Sequence, residues 1–276
     1  MTAVGATAGA PVRIAVLGAA GKMGRAIIRA TLEEPNARLV AAIERAGSAE
    51  LGQDAGALVG VAATGVVTSA TLPTAGQADV WIDFSSPAAA ASNAKLAVAA
   101  RAAFVLGTTG IAAGDKQAIA EAAVQTPVVF TPNMSVGVNV LLKLVADAAR
   151  ALGPAYDIEI VETHHRHKRD APSGTALRLG DAVAEATGRD LQKTARYDRH
   201  GDIGPRTQEE IGMQTLRGGD VVGDHTVFFL GQGDRVEITH RASSRETFAK
   251  GAVRAAVWLF GKPVGLYDMR DVLGLR

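Results

Sequence analysis

At 276 residues the chain is long enough for one large domain or two modest ones with buried cores. Hydrophobic residues make up 47% and charged ones 21%, which argues against disordered and collagen-like classes, and a net charge of +1 gives no bulk electrostatic case for nucleic acid or membrane. With no cysteine, disulfides, thiolate catalysis and cysteine-ligated zinc or iron–sulfur sites are excluded.

Residues 1–10, MTAVGATAGA, are small and weakly apolar without a basic stretch, and read as a disordered leader rather than a signal peptide. No apolar run is long enough to span a bilayer, so a cytoplasmic protein with no membrane partner is expected. The chain then alternates short apolar runs with alanine-rich helical stretches, the rhythm of βαβ units around a parallel sheet. Strands are predicted at Val12 to Leu17, Arg38 to Ile43, Asp79 to Phe84, Ala103 to Leu106 and Val128 to Phe130. Their continuous apolar character suits a sheet covered on both faces. Helices are predicted at Ala88 to Ala100, behind Pro87, and at Asp115 to Val124.

After about Ser135 the pattern changes. A helix over Val138 to Leu152 stops at Gly153-Pro154, YDIEIVETHH alternates as a strand, and a helix runs from about Thr175 to Ala186 before Gly188. Strands near Glu210 to Leu216, Val221 to Leu230 and Arg235 to His240 are separated by Gly-Gly-Asp and Gly-Gln-Gly-Asp turns, which imply antiparallel hairpins. A last helix, Arg245 to Phe260, is expected to pack back on the first domain. The expected fold class is α/β. An N-terminal Rossmann-type, doubly wound parallel sheet takes residues 1–134 and 245–276, and a second α+β domain on a mixed, largely antiparallel sheet takes 135–244.

The first strand runs into Gly18-Ala19-Ala20-Gly21-Lys22-Met23-Gly24 and then a helix carrying Ala26, Ile27 and Ala30. A glycine-rich turn there lets the backbone approach a pyrophosphate, with helix N-terminal N–H groups as donors. The match to GxGxxG is imperfect, because Ala20 stands at the second glycine, and such a string alone is weak. Context strengthens it. Glu44 follows the second strand where an acidic residue can accept from ribose hydroxyls, and Arg45 can pair with a 2′-phosphate or stack on adenine; a solvated charge pair is the plain alternative. Gly107-Thr108-Thr109-Gly110 and Thr131-Pro132-Asn133-Met134-Ser135 leave the C-terminal ends of two further strands, and with the glycine turn they define one cleft.

The densest chemical signal is His164-His165-Arg166-His167-Lys168-Arg169-Asp170-Ala171-Pro172-Ser173-Gly174-Thr175, which holds three of the six histidines. Ser173 is placed to cap the helix that follows, and a helix N-terminus beside Lys168 and imidazoles suits an anionic substrate such as a carboxylate. Histidine also exchanges a proton near neutral pH. A merely solvated basic loop competes with this reading. A metal on His165 and His167 is the other rival, but no carboxylate or cysteine completes a familiar spacing, so a metal-free site is expected.

The run ETHHRHKRDAPSGTA, with GAAGKMG, GTTG, TPNMSVGVN, GDVVGDHTVFF, ITHRASSR and GLYDMRDVL, resembles the dihydrodipicolinate reductase (4-hydroxy-tetrahydrodipicolinate reductase) family across nearly the whole chain. The resemblance implies reduction of a cyclic, unsaturated dicarboxylate by NADPH or NADH to tetrahydrodipicolinate in lysine and diaminopimelate biosynthesis, by a homotetramer. It places Gly18 to Met23 at the pyrophosphate and Glu44 and Arg45 at the adenosine ribose. Gly107 to Thr109 and Thr131 to Met134 fall on the remaining cofactor loops. His164 matches the proposed proton donor and Lys168 a second proton-donating or carboxylate-orienting group, while His165, Gly174 and Thr175 match substrate contacts. The departures are Ala20 and the pair Thr131-Pro132, where Pro132 offers no backbone donor. Two other functions compete: a nicotinamide oxidoreductase acting on an amino or oxo acid, and a dinucleotide-sensing regulator, for which no DNA-reading element is seen.

Overall fold

The computed structural model describes residues 10–276, so all but the last residue of the expected leader lies outside the described residues. In chain order, β1 (Val12–Leu17) leads into α1 (Lys22–Glu33), then β2 (Ala37–Ile43), a short α2 (Ala55–Val59) and a two-residue β3 (Thr68–Ser69). There follow β4 (Val80–Asp83), α3 (Pro87–Ala99), β5 (Ala103–Leu106), α4 (Ala113–Ala123) and β6 (Pro127–Phe130). The next stretch holds α5 (Val136–Leu152), β7 (Asp157–His164), α6 (Gly174–Ala186), α7 (Leu191–Thr194), β8 (Ala195–Arg196), β9 (Ile211–Arg217), β10 (Gly223–Leu230) and β11 (Arg235–Ala242). α8 (Glu246–Leu259), β12 (Gly265–Tyr267) and α9 (Met269–Leu273) complete the chain. It divides into two units, one reaching Ser135 and resuming at Glu246–Arg276, the other Val136–Arg245.

In the first unit seven strands lie in the order β12-β6-β5-β4-β1-β2-β3, and every pairing is parallel. β4 and β5 are buried at every position, as their unbroken apolar sequences require once helices cover both faces. The helices approach closely because their inward positions are small. α3 buries Ala90, Ala94 and Ala97 at helical spacing, and α8 buries Ala249, Gly251, Ala252, Ala255 and Ala256 against α1 and the sheet. Winding reverses between β1 and β4, which places a crevice at their C-terminal ends. The short elements α2, β3, β12 and α9 carry no period long enough to register in the sequence.

The second unit has five strands in the order β11-β10-β7-β9-β8. Two of the four pairings are antiparallel, β11-β10 and β10-β7, and two are parallel, β7-β9 and β9-β8. The Gly-Gln-Gly-Asp turn closes the expected hairpin, with Gly231 N donating to Asp234 O at 2.9 Å. The Gly-Gly-Asp turn does not, because β7 is inserted between β9 and β10. Its backbone pairs instead with the end of β7: Gly218 N donates to His164 O at 3.0 Å, and His165 N to Val221 O at 2.7 Å. On one face α5 and α6 cover Ile158, Ile160, Ile211, Met213, Val227 and Phe229. The other face carries half-buried Val161, Phe228 and Leu230, and Leu216, which is 53% exposed.

One tight backbone contact in the first unit is at Gly24, where an added Cβ would lie 2.0 Å from the Gly18 carbonyl oxygen and 2.8 Å from the Ala19 Cα. Backbone cannot retreat as a side-chain tip can. Gly24→Ala should therefore destabilise this unit by roughly 1–3 kcal/mol. Gly114→Ala in α4, where a Cβ meets nothing within 4 Å, should leave stability unchanged or improve it. Thermal denaturation of both variants checks the contrast; an unaltered Gly24→Ala would show slack in the turn.

Candidate active site

Gly18 adopts a φ of 78°, in the left-handed region that favours glycine, and a Cβ there would approach Ser85 Cα to 2.9 Å. The N–H groups of Gly18 and Ala19 donate to Ile43 O at 2.9 and 3.0 Å, which ties the turn to the end of β2. Ala20 N donates to Glu44 Oε2 at 3.0 Å, while Glu44 Oε1 accepts from Arg45 N at 3.0 Å. α1 then begins behind Gly21 with no side-chain cap, leaving its N-terminal end available to an anion. A hollow of about 600 Å³ opens over this turn, lined by Gly18, Ala20, Gly21, Glu44 and Arg45 among others. An alanine at position 20 is compatible with the hollow, since it lines it without closing it.

A second hollow, about 460 Å³, is lined by Met23, Gly107, Thr108, Thr109, Pro132, Asn133 and Met134, with Pro87 and Phe248. Phe84 and Ser85 border both hollows, so the two form neighbouring parts of one crevice along the sheet edge. Three expected cofactor residues do not line either one. Ala19 is fully buried with its N–H engaged by Ile43, and Thr131 is buried with its hydroxyl turned to Asn133 O at 3.4 Å. Lys22 stands exposed at the first position of α1.

Sequence reasoning missed the Phe84-Ser85 wall. Asp83, fully buried, holds it: Oδ1 accepts from Ser85 N at 2.8 Å and Ser85 Oγ at 2.7 Å, and Oδ2 accepts from Asn93 Nδ2 at 2.8 Å. Gly107 admits the Phe84 ring, whose Cζ lies 2.0 Å from where a Cβ would stand. The signal was present as an aspartate ending an apolar strand two residues before a serine, the pattern of a side chain folding back on its own turn.

In the second unit β7 alternates as the sequence requires, with Ile158, Ile160, Glu162 and His164 facing inward. Glu162, 1% exposed, accepts from Arg217 through both guanidinium nitrogens at 2.8 and 2.9 Å, from Ser173 N at 3.0 Å and from Thr215 Oγ1 at 3.3 Å. His164 Nδ1 lies 2.5 Å from Glu162 Oε2. Ser173 caps α6 as expected, its Oγ accepting from Ala176 N at 3.1 Å and meeting His225 Nε2 at 3.0 Å. The His164 and His225 rings stand edge to face, 5.2 Å between centroids.

Burial works against ionisation of Glu162, but Arg217 and His164 outweigh it and hold the carboxyl below its usual range. Burial pushes His164 below the ordinary histidine value against the pull of Glu162, with Lys168 and Arg217 pressing the same way. Burial, with His164 nearby, drives His225 down to about 4. Lys168 is mostly buried and pairs with Asp170 at 3.0 Å. The His165 side chain is half-buried, Gly174 opens α6 into space where a Cβ would meet nothing within 4 Å, and Thr175 follows it half-buried. Glu162, Arg217 and His225 are the site residues that sequence reasoning missed. A charged residue at an inward position of β7 was the one available sign.

Comparison with known proteins agrees with both halves of this description. The family profile described as "Dihydrodipicolinate reductase, N-terminus" matches residues 12–134, and "Dihydrodipicolinate reductase, C-terminus" matches residues 137–273. The chain is 57% identical over 265 residues to the 4-hydroxy-tetrahydrodipicolinate reductase of Anaeromyxobacter dehalogenans, covering 96% of this chain and 98% of that protein. The reductase of the same name from Pseudomonas fluorescens is 56% identical over 266 residues, covering 96% and 99%. A dipicolinate-bound dihydrodipicolinate reductase structure from a Paenisporosarcina species superposes with a TM-score of 0.71, covering 95% of this chain and 98% of that one; at 21% identity this likeness speaks to the fold. Matched in both halves by the family's profiles and sharing more than half its residues with members over nearly its full length, the chain belongs to the dihydrodipicolinate reductase family.

Proposed function

We propose a division of labour for the reaction that family membership gives this chain: NADPH- or NADH-dependent reduction of 4-hydroxy-tetrahydrodipicolinate, or its dehydrated dihydrodipicolinate form, to tetrahydrodipicolinate in lysine and diaminopimelate biosynthesis. The first unit holds the dinucleotide. The residues fit it: Gly18 and Gly24 keep the turn free of side chains, and α1 starts uncapped at its far side. Gly18, Ala20 and Gly21 take the pyrophosphate, Glu44 the ribose hydroxyls, and exposed Arg45 a 2′-phosphate or the adenine face. Met23, Gly107, Thr108, Thr109, Pro132, Asn133 and Met134 flank the nicotinamide end. When bound, the reduced cofactor supplies a hydride.

The second unit holds the substrate and manages its charge and proton. Addition of hydride to an electron-poor ring carbon creates an enamine-like anion that needs a proton at the neighbouring carbon. His164 supplies it from Nε2. Lys168, His165 and the start of α6 at Gly174 and Thr175 bind the carboxylates and stabilise developing charge. The observation that carries this reading is the inward-facing His164, held at Nδ1 by Glu162, with Lys168 following it in the same segment and near enough to shift its proton affinity.

The small cyclic dicarboxylate is the partner this chemistry requires, with neither nucleic acid nor membrane. Among the described residues no helix is long and apolar enough to cross a membrane; we place the enzyme in the cytoplasm. The other face of the second sheet, which carries Val161, Phe228 and Leu230, suits pairing between subunits in a homotetramer.

Four outcomes are expected. Light scattering at micromolar concentration should report a tetramer; a monomer would remove the role given to that face. Calorimetric titration should show saturable binding of both NADH and NADPH, because Glu44 suits a free ribose and Arg45 a phosphorylated one; binding of only one would remove dual use. In steady-state kinetics His164→Ala should lower kcat by roughly 10²–10⁴-fold with little change in cofactor affinity. Lys168→Ala should impair both kcat and KM, since an ammonium facing a carboxylate acts in ground and transition states alike. Turnover near wild type in either variant, with cofactor binding intact, would sink the role of that residue.

A further inference from the structure

We propose that Glu162 is a positioning residue for the reaction: its buried carboxylate holds the proton of neutral His164 on Nδ1 and leaves Nε2 as the one nitrogen that exchanges a proton with substrate. The proposal rests on the reading of His164 as proton donor and adds what makes that donor competent. Of the two ring nitrogens, Nδ1 faces Glu162 Oε2 at 2.5 Å, whereas Nε2 has no protein partner among the described residues. A carboxylate can only accept, so the nitrogen facing it carries the hydrogen. Gly223 completes the arrangement, because a Cβ there would stand 2.9 Å from Nε2 and crowd the working atom.

The carboxylate itself is prevented from turning. Arg217 grips both oxygens from β9, and Ser173 N fixes Oε1 from the start of α6, so three elements orient one imidazole. The same constraint favours the charged ring that must form before donation. In the free site burial, Lys168 and Arg217 oppose protonation of His164. The two carboxylates of a bound substrate act in the other direction and, with Glu162, stabilise the imidazolium. The groups facing His164 are Glu162 from β7, Arg217 from β9, His225 from β10 and Lys168, with its partner Asp170, from the loop; His240 on β11 stands opposite His225. Of these only Glu162 adds a negative charge in direct contact with the ring.

Nitrogen-15 spectroscopy of the histidine side chains tests this on the wild-type protein, the His164 signals being identified by their loss in His164→Asn. At mildly alkaline pH and without ligand, the hydrogen should reside on Nδ1. A hydrogen on Nε2 would overturn the proposal whether or not any variant folds. In Glu162→Gln the amide offers a donor to Nδ1 and should move the hydrogen to Nε2, lowering kcat by roughly 10²–10⁴-fold with KM and cofactor affinity close to wild type. Activity requiring a protonated donor is present below its pKa and lost as pH rises through it. Loss of the carboxylate lowers that pKa, so the alkaline fall in kcat should move to lower pH in this variant. An unchanged tautomer, kcat and pH profile in Glu162→Gln, while His164→Ala is inactive, would overturn the role of Glu162 alone. Full activity in His164→Ala would overturn the underlying reading together with it.

Discussion

Much of the second unit is organised around one buried carboxylate. Without partners, a carboxylate as enclosed as Glu162 would carry a heavy desolvation penalty or take up a proton. The protein satisfies it from every side: a bidentate guanidinium, a backbone N–H, a hydroxyl and an imidazole. These donors come from β7, β9 and the start of α6, so satisfying the charge also sets where those elements end. Breaking one partner leaves the others facing an under-compensated ion, which is why such a cluster behaves as a unit.

The first unit applies a similar device to a different purpose. Asp83 ends β4 fully buried and gathers Ser85 and Asn93, which shapes the wall shared by both hollows. Here the carboxylate shapes backbone rather than holding a histidine ring. The complementary constraint is the absence of side chains. Gly18, Gly24 and Gly107 stand where a Cβ would strike backbone or the Phe84 ring, so the absence of a side chain lets the turn and the crevice wall pack this closely. The two units thus solve opposite problems, one leaving a crevice along a sheet edge and the other enclosing charge around an imidazole.

The positions of the long elements were legible because they are carried by local patterns. β1 and β5 fall on the predicted residues, and α6 begins at the residue after its serine cap. The glycine turn, Glu44 and most of both threonine- and asparagine-bearing loops meet in one crevice. Ala19, Lys22 and Thr131, expected from the same strings, line neither hollow, since a sequence string does not tell how each of its members is turned. Phe84 and Ser85 were overlooked for the converse reason: their place in the crevice depends on Asp83, which looks like an ordinary strand end.

Periodicity, turn chemistry and capping act over a few residues, and the sequence by itself determined what depends on them: the βαβ rhythm, the glycine turn at Gly18 to Gly24, the Ser173 cap, the hairpin at Gly231 to Asp234 and the alternation of β7. Its motifs also carried the family. The tertiary structure decided everything that required distant residues to find one another. It placed β7 between β9 and β10, since the turn at Gly218 to Asp220 bonds to the end of β7 rather than across itself. It brought Arg217, 55 positions along the chain, onto Glu162, and set His225 against His164. Pairing partners are chosen by which arrangement buries the apolar faces and leaves no enclosed charge or N–H unmatched, a condition on the whole fold that no short stretch of sequence contains.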